Sequence, residues 1–145
     1  MPSLNSLRRR ERIPEVMDQP GIDPGDHAQA LAGLRRINAL SRCSAGLFAP
    51  IQALASRQPG QPLRVLDLAC GGGDTVIDLA LLAGRSNVPL IVEGCDISAS
   101  AVAIARTNAE RRGATARFFQ ADALVDPLPF GPDGAAPAGY DVVVT

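Results

Sequence analysis

Val65-Leu-Asp-Leu-Ala-Cys-Gly-Gly-Gly-Asp-Thr-Val-Ile-Asp-Leu-Ala80 passes from an apolar run through three consecutive glycines into a helix-like pattern, with an acid, Asp67, inside the apolar run. Residues 63–68 have the short, continuous apolar character of a strand buried on both faces. Over 74–83, Val76, Leu79, Ala80 and Ala83 fall on one helical face, and Gly84 is placed to end that helix. Glycines between a strand and a helix bring bare backbone and a helix N-terminus to one corner, where a ligand can approach closely. The carboxylate of Asp67 at that corner restricts which ligand it can be.

Downstream, strands and helices alternate. Residues 89–95 (PLIVEGC) read as a second strand, Ser98 or Ser100 can cap a helix that runs to Arg112, and Gly113 stops it. Residues 116–121 (ARFFQA) and 141–145 (DVVVT) supply a third and a fourth strand. This order predicts an α/β fold with right-handed crossovers and a parallel, doubly wound sheet. Sheets of that kind bind ligands at the carboxyl ends of their strands. Three acids stand there: Asp67 near the end of the first strand, Asp96 after the second and Asp122 after the third. Each has a local reading, since Asp67 can satisfy loop amides, Asp96 can form an Asx-turn and Asp122 can open a loop. Together they point to a nucleotide-like ligand that offers hydroxyls and an exocyclic amine.

Upstream, residues 1–25 are rich in proline and charge and read as a flexible arm, with the cluster Arg8-Arg-Arg-Glu-Arg12. Residues 26–60 read as two amphipathic helices: Leu31, Leu34, Ile37 and Leu40 mark one, and Leu47, Phe48, Ile51 and Leu54 the second. Pro50 should kink the second helix or lie in its first turn. Pro59-Gly60-Gln61-Pro62 then punctuates the join to the α/β segment, 61–145.

Composition excludes several chemistries. All 14 basic residues are arginine and His27 is the only histidine. A P-loop ATPase and Schiff-base catalysis both require a lysine, and a paired-histidine metal site requires a second histidine. No metal is expected, and no general base is evident; His27 would have to fill that role, although its place at the start of a polar helix suits a surface residue. Cys43, Cys70 and Cys95 lack the spacing of a zinc knuckle or a disulfide framework and read as small core residues. With a net charge of −1 and no aromatic residues interleaved among the arginines, nucleic acid is not an expected partner. Apolar residues are 46% and charged residues 20% of the 145, typical of a globular chain. No apolar run approaches the roughly 20 residues of a membrane span, and no secretory core is evident, so a cytoplasmic location is expected.

Among nucleotides, NAD(P) is disfavoured. The dinucleotide fingerprint closes on a third glycine, where this chain has Val76, and Asp67 would set negative charge near a pyrophosphate. An acid beside the glycines suits a ligand with a cationic amine or sulfonium.

Asp67-Leu-Ala-Cys-Gly-Gly-Gly-Asp74, Gly94-Cys-Asp-Ile-Ser98, Gln120-Ala-Asp-Ala-Leu124 and Tyr140-Asp-Val-Val-Val-Thr145 resemble, in order and spacing, the successive motifs of class I S-adenosylmethionine-dependent methyltransferases. The resemblance implies a Rossmann-like core with S-adenosyl-L-methionine as cofactor. Gly71 and Gly73 would let the backbone approach the methionine part and the ribose, and Asp67 would orient the methionine amine. Asp96 would accept both ribose hydroxyls, Asp122 the adenine amino group, the backbone of Ala123 would meet a ring nitrogen and Ile97 would pack on the adenine face. Ala69 stands where the family most often has its first glycine, and an ordinary extended backbone is expected there.

Pro14-Glu-Val-Met-Asp-Gln-Pro20, His27 and Leu34-Arg-Arg-Ile-Asn-Ala-Leu-Ser-Arg42 resemble the N-termini of bacterial small-molecule methyltransferases, some of which act on aromatic polyketide or quinone-like compounds. The resemblance implies that residues 26–60 form a helical cap and that the acceptor is phenolic or quinone-like. The family sheet has seven strands and this chain stops at the fourth, at Thr145, so it reads as a fragment holding the cofactor half, with the fourth strand an exposed edge prone to aggregation. The alternatives are a non-catalytic cofactor-binding remnant or, less well supported, an NAD(P)-binding oxidoreductase. The oligomeric state has no signature in the sequence.

Overall fold

The structure is a computed structural model that describes Gly25, residues 43–128 and residues 139–145. The arm, His27 and the first expected cap helix with Leu31, Leu34, Ile37 and Leu40 lie outside the described residues. The elements run α1 (Cys43–Ala55), β1 (Leu63–Leu68), α2 (Asp74–Ser86), β2 (Leu90–Asp96), α3 (Ala99–Arg112), β3 (Arg117–Gln120) and β4 (Val142–Val144).

All four strands are parallel, in the order β3-β2-β1-β4. Successive strands step outward from β1 to β3, and the chain then returns to the other side of β1. This reversal is the switch point of a doubly wound sheet, and it opens a crevice at the carboxyl end of β1. Asp67 pairs in register with Gly94 of β2 on one side and Val144 of β4 on the other, which sets the acid at the centre of the sheet.

Alternation along the strands divides the sheet into two faces. Val65, Val92 and Phe118 face the helices and pack with Phe48 and Ile51 of α1, Val76 and Leu79 of α2, and Val102 and Ala105 of α3. The helix layer is further pinned by Asp78 on α2, which accepts from Ser44 of α1 at 2.9 Å and from Arg112 of α3 at 2.6 Å. Leu66 and Cys95 face the other way and pack with Ala121, Leu68, Phe119, Leu128 and Tyr140. That second face carries Glu93, 2% exposed, paired with Arg64 at 3.1 Å and Arg117 at 3.2 Å. Tyr140 hydrogen-bonds Glu93 and lies under the Arg64 guanidinium, 4.8 Å from its carbon to the ring centroid. Burial, then Glu93, raises the Tyr140 hydroxyl to about 12. Asp141 clasps the backbone of Arg64, its carboxylate accepting from the Arg64 amide at 2.8 Å and its own amide donating to the Arg64 carbonyl at 2.9 Å. The returning chain is thus fixed beside β1 by polar contacts that apolar patterning does not reveal.

Helix ends follow their caps, with two departures from expectation. Ser98 caps α3, accepting from the Ala101 amide at 3.3 Å, and Gly113 closes it in the left-handed region. Gly84 does not end α2; the helix continues to Ser86 and closes on Asn87 at φ 50°, since asparagine tolerates that region and Gly84 can remain helical. Pro50 lies in the interior of α1, not its first turn, on the exposed side opposite Phe48 and Ile51, where the lost amide can be replaced by water at the exposed Gly46. Cys43 is exposed at the start of α1, so only Cys95 is buried and Cys70 half-buried; the three form no disulfide with one another. Among the described residues β4 lies at one edge of the sheet, and its Val143 is 54% exposed. No helix among the described residues is long and apolar enough to cross a membrane.

Candidate functional site

The glycine corner is built from an alternating backbone. Ala69, Gly71 and Gly73 have φ of 55°, 52° and 79°, so every second residue between β1 and α2 is left-handed. Ala69 is therefore not extended, as the sequence suggested: coiling the loop back toward β2 requires the left-handed turn there, and an alanine holds it at a strain of roughly 1–2 kcal/mol. The amide of Cys70 donates to the Cys95 carbonyl at 2.9 Å, and the Gly73 amide donates to the Cys70 carbonyl at 2.9 Å, which closes the turn. From α3, Asn108 donates its side-chain amide to the Gly72 carbonyl at 3.0 Å.

The three glycines do different work. A side chain at Gly73 would lie 2.7 Å from the Phe118 ring and 2.8 Å from the Ala105 methyl, so this glycine is required by the packing of α2 on α3 and β3. Gly71, in contrast, turns its amide onto Asp96. A residue not singled out from the sequence, Gly94, is equally constrained: a Cβ there would meet Cys70 Sγ and Val76 Cγ2, both at 2.9 Å. Its signal was a lone glycine inside an apolar strand, a mark of close backbone approach.

Asp96 is held by two backbone donors. Gly71 donates to one carboxylate oxygen and Ser98 to the other, each at 2.8 Å. The second bond is an Asx-turn, so the local reading of Asp96 holds at the same time as its placement at the crevice. Two amides fix both oxygens, and each oxygen keeps acceptor capacity for a further donor. The Ala121 amide donates to the Asp96 carbonyl at 3.0 Å, and Gln120 donates to the Ile97 carbonyl at 3.0 Å, which ties the ends of β2 and β3 together.

Asp122 opens the loop after β3 and also forms an Asx-turn, its carboxylate accepting from the Leu124 amide at 3.0 Å. Its own amide donates to the Asp126 carboxylate at 2.8 Å. Ala123 is exposed beside it, and Ile97 is 63% exposed, an apolar side chain left in the open next to Asp96.

Asp67 differs from the other two acids. It is 6% exposed and its side chain takes no hydrogen bond from any described residue. Burial, and then the charge of Asp96, raise its carboxyl from 3.8 to about 7. The same two acids, after burial, raise the Cys70 thiol, so Cys70 is not a nucleophile. A carboxylate placed this way is stabilised by a cation entering the crevice. The donor set fits a ligand with a cationic end at Asp67, vicinal hydroxyls at Asp96 and an apolar ring at Ile97.

A parallel sheet wound outward from β1 on both sides, with a glycine turn at its switch point, defines a Rossmann-like core. The model of the methyltransferase-domain family matches residues 65–145, and the chain belongs to that family. Its cofactor is S-adenosylmethionine. Demethylmenaquinone methyltransferase of Thermus thermophilus is 49% identical over 74 residues, which are 51% of this chain and 30% of that protein. A 23S rRNA uracil methyltransferase of Stenotrophomonas maltophilia is 44% identical over 75 residues, 51% of this chain and 16% of that one. Release factor glutamine methyltransferase of Bacillus subtilis is 40% identical over 62 residues, 43% of this chain and 20% of that one. The chain thus spans 16–30% of the length of these relatives.

Proposed function

We propose that this chain provides the S-adenosylmethionine site of a methyltransferase whose acceptor is a small phenolic or quinone-like molecule. The observation that carries the cofactor reading is the pair of acids at the glycine corner: Asp67 buried without a donor, and Asp96 aligned by the Gly71 and Ser98 amides. Asp67 would face the amine of the methionine part. Asp96 would take the ribose hydroxyls on the acceptor positions its two amides leave open, Asp122 would take the adenine amine, Ala123 would offer backbone to the ring, and Ile97 would cover its face. Gly71 and Ala69 shape the turn that brings the backbone alongside, and Gly73 seats that turn on the core.

The cofactor, when bound, supplies a methyl group activated by its sulfonium. The protein then has to position the acceptor and exclude water, and it needs a base only where the acceptor must lose a proton. The helical segment 26–60 is read as the cap, anchored on the core through α1, whose Phe48 and Ile51 pack in the helix layer.

The acceptor class is supported by two things: the likeness of the N-terminal segment to small-molecule enzymes, and a relative named for demethylmenaquinone at 49% identity. Against nucleic acid stands the net charge of −1, although one relative is named for rRNA. The test is methyl transfer from labelled S-adenosylmethionine by the 145-residue chain, offered a hydroxynaphthoquinol, ribosomal RNA or a release factor. Label in the quinol is the expected result; label in RNA or protein overturns the acceptor, and cofactor binding without transfer to any of them identifies a non-catalytic cofactor-binding chain.

A further inference from the structure

Asp67 is the one acid of the site that is buried, with 6% of the residue exposed, and no described residue gives it a hydrogen bond. Its neighbours offer nothing to neutralise it. Gly94 on β2 and Val144 on β4 flank it in the sheet, Cys70 and Cys95 present thiols, and Asp96 adds a second negative charge. The next charged side chain along the loop, Asp74 at the first turn of α2, is also an acid. Among the described residues no arginine acts on Asp67. Asp96 accepts from two backbone amides, while Asp67 has no such donor.

We propose that the corner exchanges a proton for its ligand: free, Asp67 holds a proton, and the ammonium of the adenosyl amino acid expels it on binding. This rests on the cofactor reading above and adds to it that affinity is linked to pH. The proton leaves Asp67 for the solvent, and the ligand's ammonium takes its place as the partner of the carboxylate. Asp67 then favours ligands with a cationic end over neutral nucleosides more strongly as pH rises. The direction agrees with the carboxyl's displacement to about 7. Between roughly pH 5 and 7 the association constant should rise by up to about tenfold per unit, and it should level off above that range.

Calorimetric titration of the full 145-residue chain with S-adenosylhomocysteine, at pH 6.5 in two buffers of different ionisation enthalpy, reads the proton directly. The expected result is release of more than half a proton per ligand bound. Methylthioadenosine, which keeps the adenosine but lacks the amino acid, should bind with no release, and Asp67→Asn should bind S-adenosylhomocysteine without release or pH dependence. Wild-type binding with no proton release overturns the exchange and leaves the cofactor reading intact. Failure of the folded chain to bind either compound overturns the cofactor reading and the exchange with it. Should Asp67→Asn not fold, the wild-type buffer comparison alone decides.

Discussion

The amide of Gly71 donates to the carboxylate of Asp96 at 2.8 Å, joining the glycine turn after β1 to the acid at the end of β2. Neither residue is placed without the other. The carboxylate gives the left-handed turn an acceptor for its amide, and the turn fixes the carboxylate for a ligand in the crevice.

Replacing Asp96 should therefore affect binding and loop order together. Asp96→Ala is expected to weaken S-adenosylhomocysteine binding by roughly 10- to 100-fold, the scale of losing hydrogen bonds to a charged acceptor. Asp96→Asn, which keeps one acceptor oxygen, should lose less. Titration calorimetry ranks the three proteins, and equal affinity in all of them would remove Asp96 from the site.

Ala69 and Gly73 share a left-handed backbone but should respond in opposite ways. Ala69→Gly relieves strain and adds unfolded-state entropy, for a net gain of up to about 1 kcal/mol. Gly73→Ala drives a methyl into Phe118 and Ala105 and should lose about 3 kcal/mol or more. Urea unfolding of both variants measures the contrast; a neutral Gly73→Ala would contradict the packing role.

Glu93 is held on the second sheet face by Arg64, Arg117 and Tyr140. Removing it as Glu93→Leu leaves the nearly buried Arg64 without its carboxylate and should destabilise by about 3–5 kcal/mol. The double change Glu93→Leu with Arg64→Met should recover much of that loss, which chemical denaturation can follow.

Folding stability should also depend on pH through Asp67. Its carboxyl is raised from 3.8 to about 7, so the native state holds a proton that the unfolded chain has released across that interval. The contribution is fully present below about pH 4 and is lost as pH rises through 7, a change of roughly 4 kcal/mol at most. Asp67→Asn should flatten the stability profile between pH 5 and 8, as urea midpoints across that range will test.

Much of the site was legible because its parts lie beside strong local signals. Asp67, Asp96 and Asp122 follow apolar runs, and the register of β1, β2 and β3 does bring their ends together. The backbone of Ala69 was misjudged because its left-handed turn is imposed by the close approach of Cys70 to Cys95, a contact between residues 25 apart in the chain. The packing constraint on Gly73 was not legible, because the atoms that impose it belong to α3 and β3. The Asn108 clasp on Gly72 and the Arg64–Glu93–Tyr140 cluster likewise join distant segments through polar groups, which periodicity in a single stretch does not mark.

Titration of the folded chain with S-adenosylhomocysteine tests the central claim most directly. Saturable binding at one site per chain, weakened by Asp96→Ala, is the predicted result. A folded sample that gives no binding heat and no rise in melting temperature would contradict it.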